Sequence, residues 1–296
     1  MDMQFYDLDK LRNIIRKLIE DNQELKDKLK QNNIPYKDTS YFDIEENDNY
    51  DINQEDRIYE KEITPELAKR FYGMFWGRMD VYGKRSKNGR YYPQWWNRWN
   101  DKCPINNAQR LTCDNCEHKK WKALTLDTII NHLKGEKEDG SDVVGVYPLF
   151  PDGTCRFIVF DFDNHEKDSN KNDFANNDDE YKYEVNSLRK ICLDNNNFPL
   201  VERSHSGKDA HLWIFFDKPI SAKLTRNFAF LLLDKGMLSV NLHSFNYYDR
   251  LYPSQDYSNS IGNLIALPLQ GGAIRNGNSV FVDEDFNAYE DSTMIQ

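Results

Sequence analysis

The sequence contains no apolar run approaching the ~18 residues that a helical membrane span needs. Its opening residues, MDMQFYDLDKL, carry acids where a secretory signal carries bases, so secretion is not expected and a cytoplasmic location is. Cysteine is scarce. There are five in 296 residues, three of them clustered, which speaks against a disulfide framework and for a metal site in a reducing compartment. Positive charge is in deficit: 39 Lys and Arg against 49 Asp and Glu leave a net charge of −10. Taken alone, that argues against a generic nucleic-acid coat protein. The deficit is largely local, however. Residues 43–56 hold seven acids and no base, and residues 161–180 form a second acidic, Asn-rich run. A basic surface can coexist with such segments, so a polymerase is not excluded. Aromatic residues are not lacking. With 17 Phe, 17 Tyr and 6 Trp the chain has the material for a sizeable core, which rules out disorder over its whole length.

Leu8, Leu11, Ile15, Leu18, Asn22, Leu25 and Leu29 recur at spacings of three and four, an a/d seam with Asn at one a position. A coiled-coil helix over residues 1–33 is expected, with self-association through residues 5–30; the alternative is a helix packed on its own globular domain. Residues 34–63 read as an acidic, Asn-rich linker. Folded sequence resumes at Thr64-Pro65-Glu66, an N-cap followed by Pro at the first helical position, and a helix over residues 65–76 is expected. Residues 78–99 then interleave Arg78, Lys84, Arg85, Lys87, Arg90 and Arg98 with Tyr82, Tyr91, Tyr92, Trp95, Trp96 and Trp99. Cations beside stacking rings suit single-stranded nucleic acid. An ordinary hairpin turning at Lys87-Asn88-Gly89-Arg90, with its rings in the core, accounts for the same pattern, and both readings can hold together. Beyond residue 140 short apolar runs bounded by turns alternate with helical stretches near 181–195 and 221–238, which predicts an α+β sheet covered on one side.

Three constellations carry chemistry. Cys103, Cys113 and Cys116 place two thiolates on a CDNC knuckle and a third nearby. A structural zinc of Cys3His type follows, with His132 or His118 as fourth ligand. Cys155 and Cys192 sit in apolar surroundings and read as core residues. Asp161 and Asp163 end the apolar run FIVFDFD. Strand alternation puts both on one face with Phe162 opposite, and two adjacent carboxylates are tolerable when a divalent cation lies between them. Ser206, Gly207 and Lys208 form a tight polar loop able to hold phosphate oxygens with backbone N–H groups and an ammonium. His211, just beyond, begins an apolar strand: a core histidine by default, a triphosphate ligand by position. A third acid from a neighbouring strand would complete a metal site, and Asp249 and Asp256 are the candidates.

FIVFDFD, SHSGKDAHLWIFF and YDRLYPSQD followed by GNLIALPLQ resemble, in that order, the three motifs of the archaeo-eukaryotic primase superfamily. FWGRMDVYGKR, the cysteine cluster, NHLKG and GVYPLF bring the chain closer to the primase–polymerase domain of TOTE conflict systems, over about residues 64–285. The resemblance implies a catalytic core with an RRM-like sheet and a zinc-binding insertion. Residues 64–140 would form its first part with the zinc module, and 141–296 its catalytic part. It implies a nucleotidyltransferase that synthesises DNA or RNA on a single-stranded template from nucleoside triphosphates, using Mg2+ or Mn2+. Asp161, Asp163 and Asp249, or Asp256 in its place, would hold those ions. Ser206, Gly207, Lys208, His211 and Arg275 would hold the nucleotide, and Arg78, Tyr82, Lys84 and Arg85 the template. Helicase and nuclease partners are implied as well. Asp209 departs from the family pattern, which has a small residue there. A non-catalytic zinc and RRM-like binding module and a metal-dependent nuclease remain the rival readings.

Overall fold

The computed structural model describes residues 17, 23–32, 63–97, 119–164, 177–239 and 245–289. The chain divides into two units, residues 1–53 and 54–296. In the first, residues 23–31 are helical (α1), with Glu24 and Lys28 paired one turn apart at 2.6 Å. Asn22 and most of the leucine seam lie outside the described residues, as do Cys103, Cys113, Cys116 and His118.

The second unit runs, in chain order, α2 (Pro65–Phe75), β1 (Gly83–Arg85), β2 (Tyr91–Pro93), α3 (Leu126–Lys134), β3 (Val144–Val146), β4 (Thr154–Phe162), α4 (Asn177–Asp194), β5 (Leu200–Arg203), β6 (Ala210–Ser221), α5 (Ala222–Ser239), β7 (Tyr248–Tyr252), β8 (Ile265–Ala266), α6 (Gly271–Ile274) and β9 (Val280–Phe281). The start of α2 follows from its sequence. The Thr64 side chain accepts the Leu67 N–H at 3.2 Å, and Pro65, which has no N–H to leave unpaired, opens the first turn. Ala68, Phe71 and Phe75 form its buried stripe. The β1–β2 hairpin turns at Gly89, whose φ of 82° suits a residue without a Cβ.

Two antiparallel sheets result, one ordered β2-β1-β3-β8 and the other β7-β4-β6-β5-β9. The elements β4-α4-β5-β6-α5-β7 trace the split β-α-β-β-α-β path of ferredoxin-like folds. Alternation along β4 explains how this sheet is buried. Ile158, Phe160 and Phe162 pack with Val185 and Leu188 of α4 and Leu232 and Leu233 of α5. Phe157 and Val159 face the other way, joining Trp213 of β6, Phe71 and Phe75 of α2 and Ile129 of α3. The Phe75 and Trp213 rings meet edge-on with centroids 5.3 Å apart. The sheet is therefore covered on both faces, not on one as its patterning suggested. The second cover comes from α2, α3 and the small sheet, whose short strands carry little period-2 signal. Cys155 and Cys192 are buried free thiols, as expected. No helix among the described residues is long and apolar enough to cross a membrane.

Candidate active site

Antiparallel pairing builds a row of side chains across the larger sheet. Arg250 of β7 opposes Asp161 of β4, which opposes His211 of β6, which opposes Glu202 of β5. Such neighbours share a face, so their side chains meet directly. His211 Nε2 lies 3.5 Å from Asp161 Oδ1, and its Nδ1 lies 3.0 Å from Glu202 Oε2. The same Glu202 oxygen accepts the indole N–H of Trp213 at 2.9 Å. The Tyr252 hydroxyl donates to Asp161 Oδ2 at 3.5 Å.

The electrostatics follow from burial. Asp161, 8% exposed, loses hydration that its charged form needs. Burial pushes its carboxyl up to about 6 against the pull of His211, and Asp163 and Asp249 add to the rise. Burial alone would lower the His211 pKa. Its hydrogen-bonded partner Glu202, with Asp161 and Asp209 beyond, overcomes that and raises it to about 9, so the ring is an imidazolium at neutral pH.

Asp163 continues from β4, its N–H donating to Tyr247 O at 2.8 Å. Asp249 sits beside a register shift in the β4–β7 pairing and accepts from Arg250 Nε. Asp161 thus has Asp163 and Asp249 within electrostatic reach, and the donor set is all oxygen, the kind that suits Mg2+ or Mn2+. Among the described residues, though, no three His, Cys, Asp or Glu side chains stand grouped as an ion would need them.

Asp256 lies away from Asp161. It is paired with Arg226 of α5, and its backbone lies against Gly153, before the start of β4, whereas Asp161 is near that strand's end. Strand β7 runs antiparallel to β4 and carries the chain away from the site before Asp256 is reached.

The loop between β5 and β6 is tied by its own side chains. Ser206 Oγ donates to Asp209 Oδ2 at 2.9 Å, and the Asn164 N–H donates to Asp209 Oδ1 at 3.3 Å. The acid that departs from the family pattern thereby pins the loop to the end of β4. The N–H groups of Gly207, Lys208 and Asp209 are already donating, to Ser204 O, Ser206 Oγ and Ser204 Oγ. They do not form the open backbone cradle expected; the Ser206 and Lys208 side chains are exposed. Beside the loop, Arg85, His205, Arg275 and Asn278 line a cavity of about 520 Å³. The Arg275 guanidinium donates there to Lys134 O and Gly135 O.

Two further expectations are corrected. His132 is fully buried, its Nδ1 accepting the Val144 N–H at 3.2 Å and its Nε2 lying 2.9 Å from Pro268 O. Both nitrogens are used by backbone groups, so no lone pair is left for zinc; of the two histidines considered, that leaves His118. Tyr82, 3% exposed, is a core ring and presents no face to a base. Of its companions, Arg78 is committed to Asp80 and Ser260 O, while Lys84 is partly buried, its pKa lowered by that burial. Glu202, Trp213 and Tyr252 were not singled out from sequence. Glu202 had a signal: an acid inside the strand L-V-E-R, at the same distance from the hairpin turn as His211.

Strand-end carboxylates, an imidazolium and a Ser-Gly-Lys loop are the equipment of phosphoryl-transfer chemistry. The profile of the TOTE conflict system, Archaeo-Eukaryotic Primase domain matches residues 66–295, and the chain belongs to that family, whose members are nucleotidyl-transferring primases. The polymerase domain of Mycobacterium tuberculosis ligase D, solved in complex with DNA, is similar at 14% identity and a TM-score of 0.37, over 60% of this chain and 61% of that one. The chain therefore spans less than two thirds of that domain. No curated protein matches it.

Proposed function

We propose that the chain is a primase–polymerase that extends or starts a nucleic-acid strand on a single-stranded template, using NTPs or dNTPs, within a conflict system. The observation that carries this reading is the Asp161–His211–Glu202 row, flanked by Asp163, Asp249 and the Ser206–Lys208 loop. Two Mg2+ or Mn2+ ions held by the three acids would supply charge neutralisation at the triphosphate and activation of the attacking 3′-hydroxyl. The protein's own part is binding and orientation. His211, cationic and fixed by Glu202, presents Nε2–H to a phosphate oxygen in place of Asp161. Lys208 and the Ser206 hydroxyl add charge and a hydrogen bond from the loop side. The order 4-1-3-2 in β7-β4-β6-β5 supports an RRM-like sheet as the platform. The zinc reading rests on Cys103, Cys113, Cys116 and His118, all outside the described residues. Helicase and nuclease partners belong to the same proposal.

The test is incubation of an unprimed single-stranded template with labelled NTPs or dNTPs and Mn2+. Chain-length products are expected with the wild type and none with Asp161→Asn. Template degradation instead of synthesis would turn the reading to a nuclease.

A further inference from the structure

Strand β4 has two ends, and the catalytic acids occupy one. Beside the other lies a second concentration of rings and cations. Residues 94–96 and 120–122 form a short antiparallel ribbon: the Trp96 N–H donates to Lys120 O at 2.8 Å, the Lys122 N–H to Gln94 O at 3.0 Å, and Trp95 opposes Trp121. The Trp95 and Trp121 rings meet at 67° with centroids 5.7 Å apart. The Lys119 ammonium stands 4.3 Å from the centre of the Trp121 ring. Lys119 and Trp121, together with the 257–261 loop, Arg78 and Pro151, line a cavity of about 670 Å³. Arg78 braces it: its guanidinium donates to Ser260 O at 3.1 Å while its charge is met by Asp80 at 2.7 Å. Tyr257, 62% exposed, stands at the same cavity, and Ser258, Asn259 and Ser260 give it a polar margin.

We propose that this cavity binds an unpaired base and its phosphate from single-stranded nucleic acid. Its size is within the usual range of ligand pockets. Trp121 and Tyr257 offer ring faces for stacking, which accepts any base. An ammonium resting on an indole is a replaceable occupant. When a base takes the ring face, Lys119 moves to the flanking phosphate, exchanging a cation–π contact for an ion pair. The polar margin fits base edges and disfavours an apolar peptide. The position sets the role. Thr154 and Asp161 are separated by roughly 23 Å of extended strand at ~3.3 Å per residue, so the cavity grips the strand away from the templating base. The inference rests on the polymerase reading only for the source of that strand, the template.

The experiment is fluorescence anisotropy of a labelled 16-nucleotide oligothymidine with the full chain, without added metal or nucleotide. Tyr257→Ala and Lys119→Glu alter exposed or rim side chains. Together they should weaken binding by about 10-fold or more, the scale of losing one stacked base and a phosphate contact. A 5-iododeoxyuridine oligonucleotide should photocross-link to Trp121 or Tyr257, located by peptide mass spectrometry. Unchanged affinity in the double variant, or cross-links confined to other residues, overturns the proposal. A protein that polymerises yet binds equally in wild type and variant loses the cavity and keeps the function. One that shows the binding loss but no synthesis keeps the cavity and loses the polymerase.

Discussion

Glu202 is 2% exposed and gives one oxygen to two donors, the His211 ring and the Trp213 indole. Replacing it with Gln keeps an acceptor for Trp213 and removes the charge that holds His211 cationic. The Glu202→Gln protein should therefore fold, with a thermal midpoint close to wild type, while its KM for NTP rises more than its kcat falls. Glu202→Ala leaves the buried indole N–H without an acceptor and should cost about 1–3 kcal/mol of stability in addition. The histidine that is not in the site gives a pH prediction. His132, wholly buried, has its pKa lowered to about 4, against 6.5 in the unfolded chain. The unfolded state thus takes up a proton at a higher pH than the folded state. This contribution to stability is complete above pH 6.5 and falls as pH drops toward 4, by about 3 kcal/mol. Asp161 works the other way in an overlapping window: its raised pKa makes the folded state the better proton binder, so acidification relieves it. Asp161→Asn removes that relief and a buried charge together. The variant should melt higher than wild type at pH 7 and lose stability more steeply down to pH 4.5. His132→Ala, by contrast, should lower the melting temperature with no change in metal content.

At the scale of elements, what was legible in the sequence is what depends on neighbours in the chain. Thr64-Pro65 announced α2, the Asn88-Gly89 turn announced the β1–β2 hairpin, and FIVFDFD announced a buried strand with its acids facing away from Phe162. What was not legible depends on distant partners or on a local irregularity. His132 is satisfied by Pro268, 136 residues on, so no spacing rule could separate it from a zinc ligand. That Asp256 pairs with Arg226, away from Asp161, depends on the path of the chain after β7, which apolar alternation does not encode. The end of α3 shows the same dependence. Gly135 has φ 59°, and a Cβ there would stand 1.9 Å from the backbone nitrogen of Gly272. Arg275 anchors to the Lys134 and Gly135 carbonyls at the same junction. Gly135→Ala strains the left-handed cap and forces α3 and α6 apart. It should cost more than about 2 kcal/mol, read by denaturant unfolding.

For the whole chain the open question is what the first 33 residues add. In α1, Leu25 is 61% exposed, an apolar side chain at a seam position. A seam of only about three heptads is marginal on its own, and a partner would stabilise the Leu8–Leu29 pattern. A second copy is the simplest one, because the seam is self-complementary and Asn22 at an a position favours two strands in register. The full chain is then expected to be at least partly dimeric at micromolar concentration, and the chain lacking residues 1–33 to be monomeric, both read by light scattering. Asn22→Leu should raise the stability of the assembly and loosen its preference for two strands. Every residue of the candidate site lies beyond position 60, within the span that defines the family, so the truncated protein should still synthesise nucleic acid. Its yield on long templates should fall relative to short ones, since two tethered copies hold one strand at two places and raise the effective concentration of each for it. A full chain that is monomeric at every accessible concentration, or a truncated chain with unchanged yield at all template lengths, would remove dimerisation from the account.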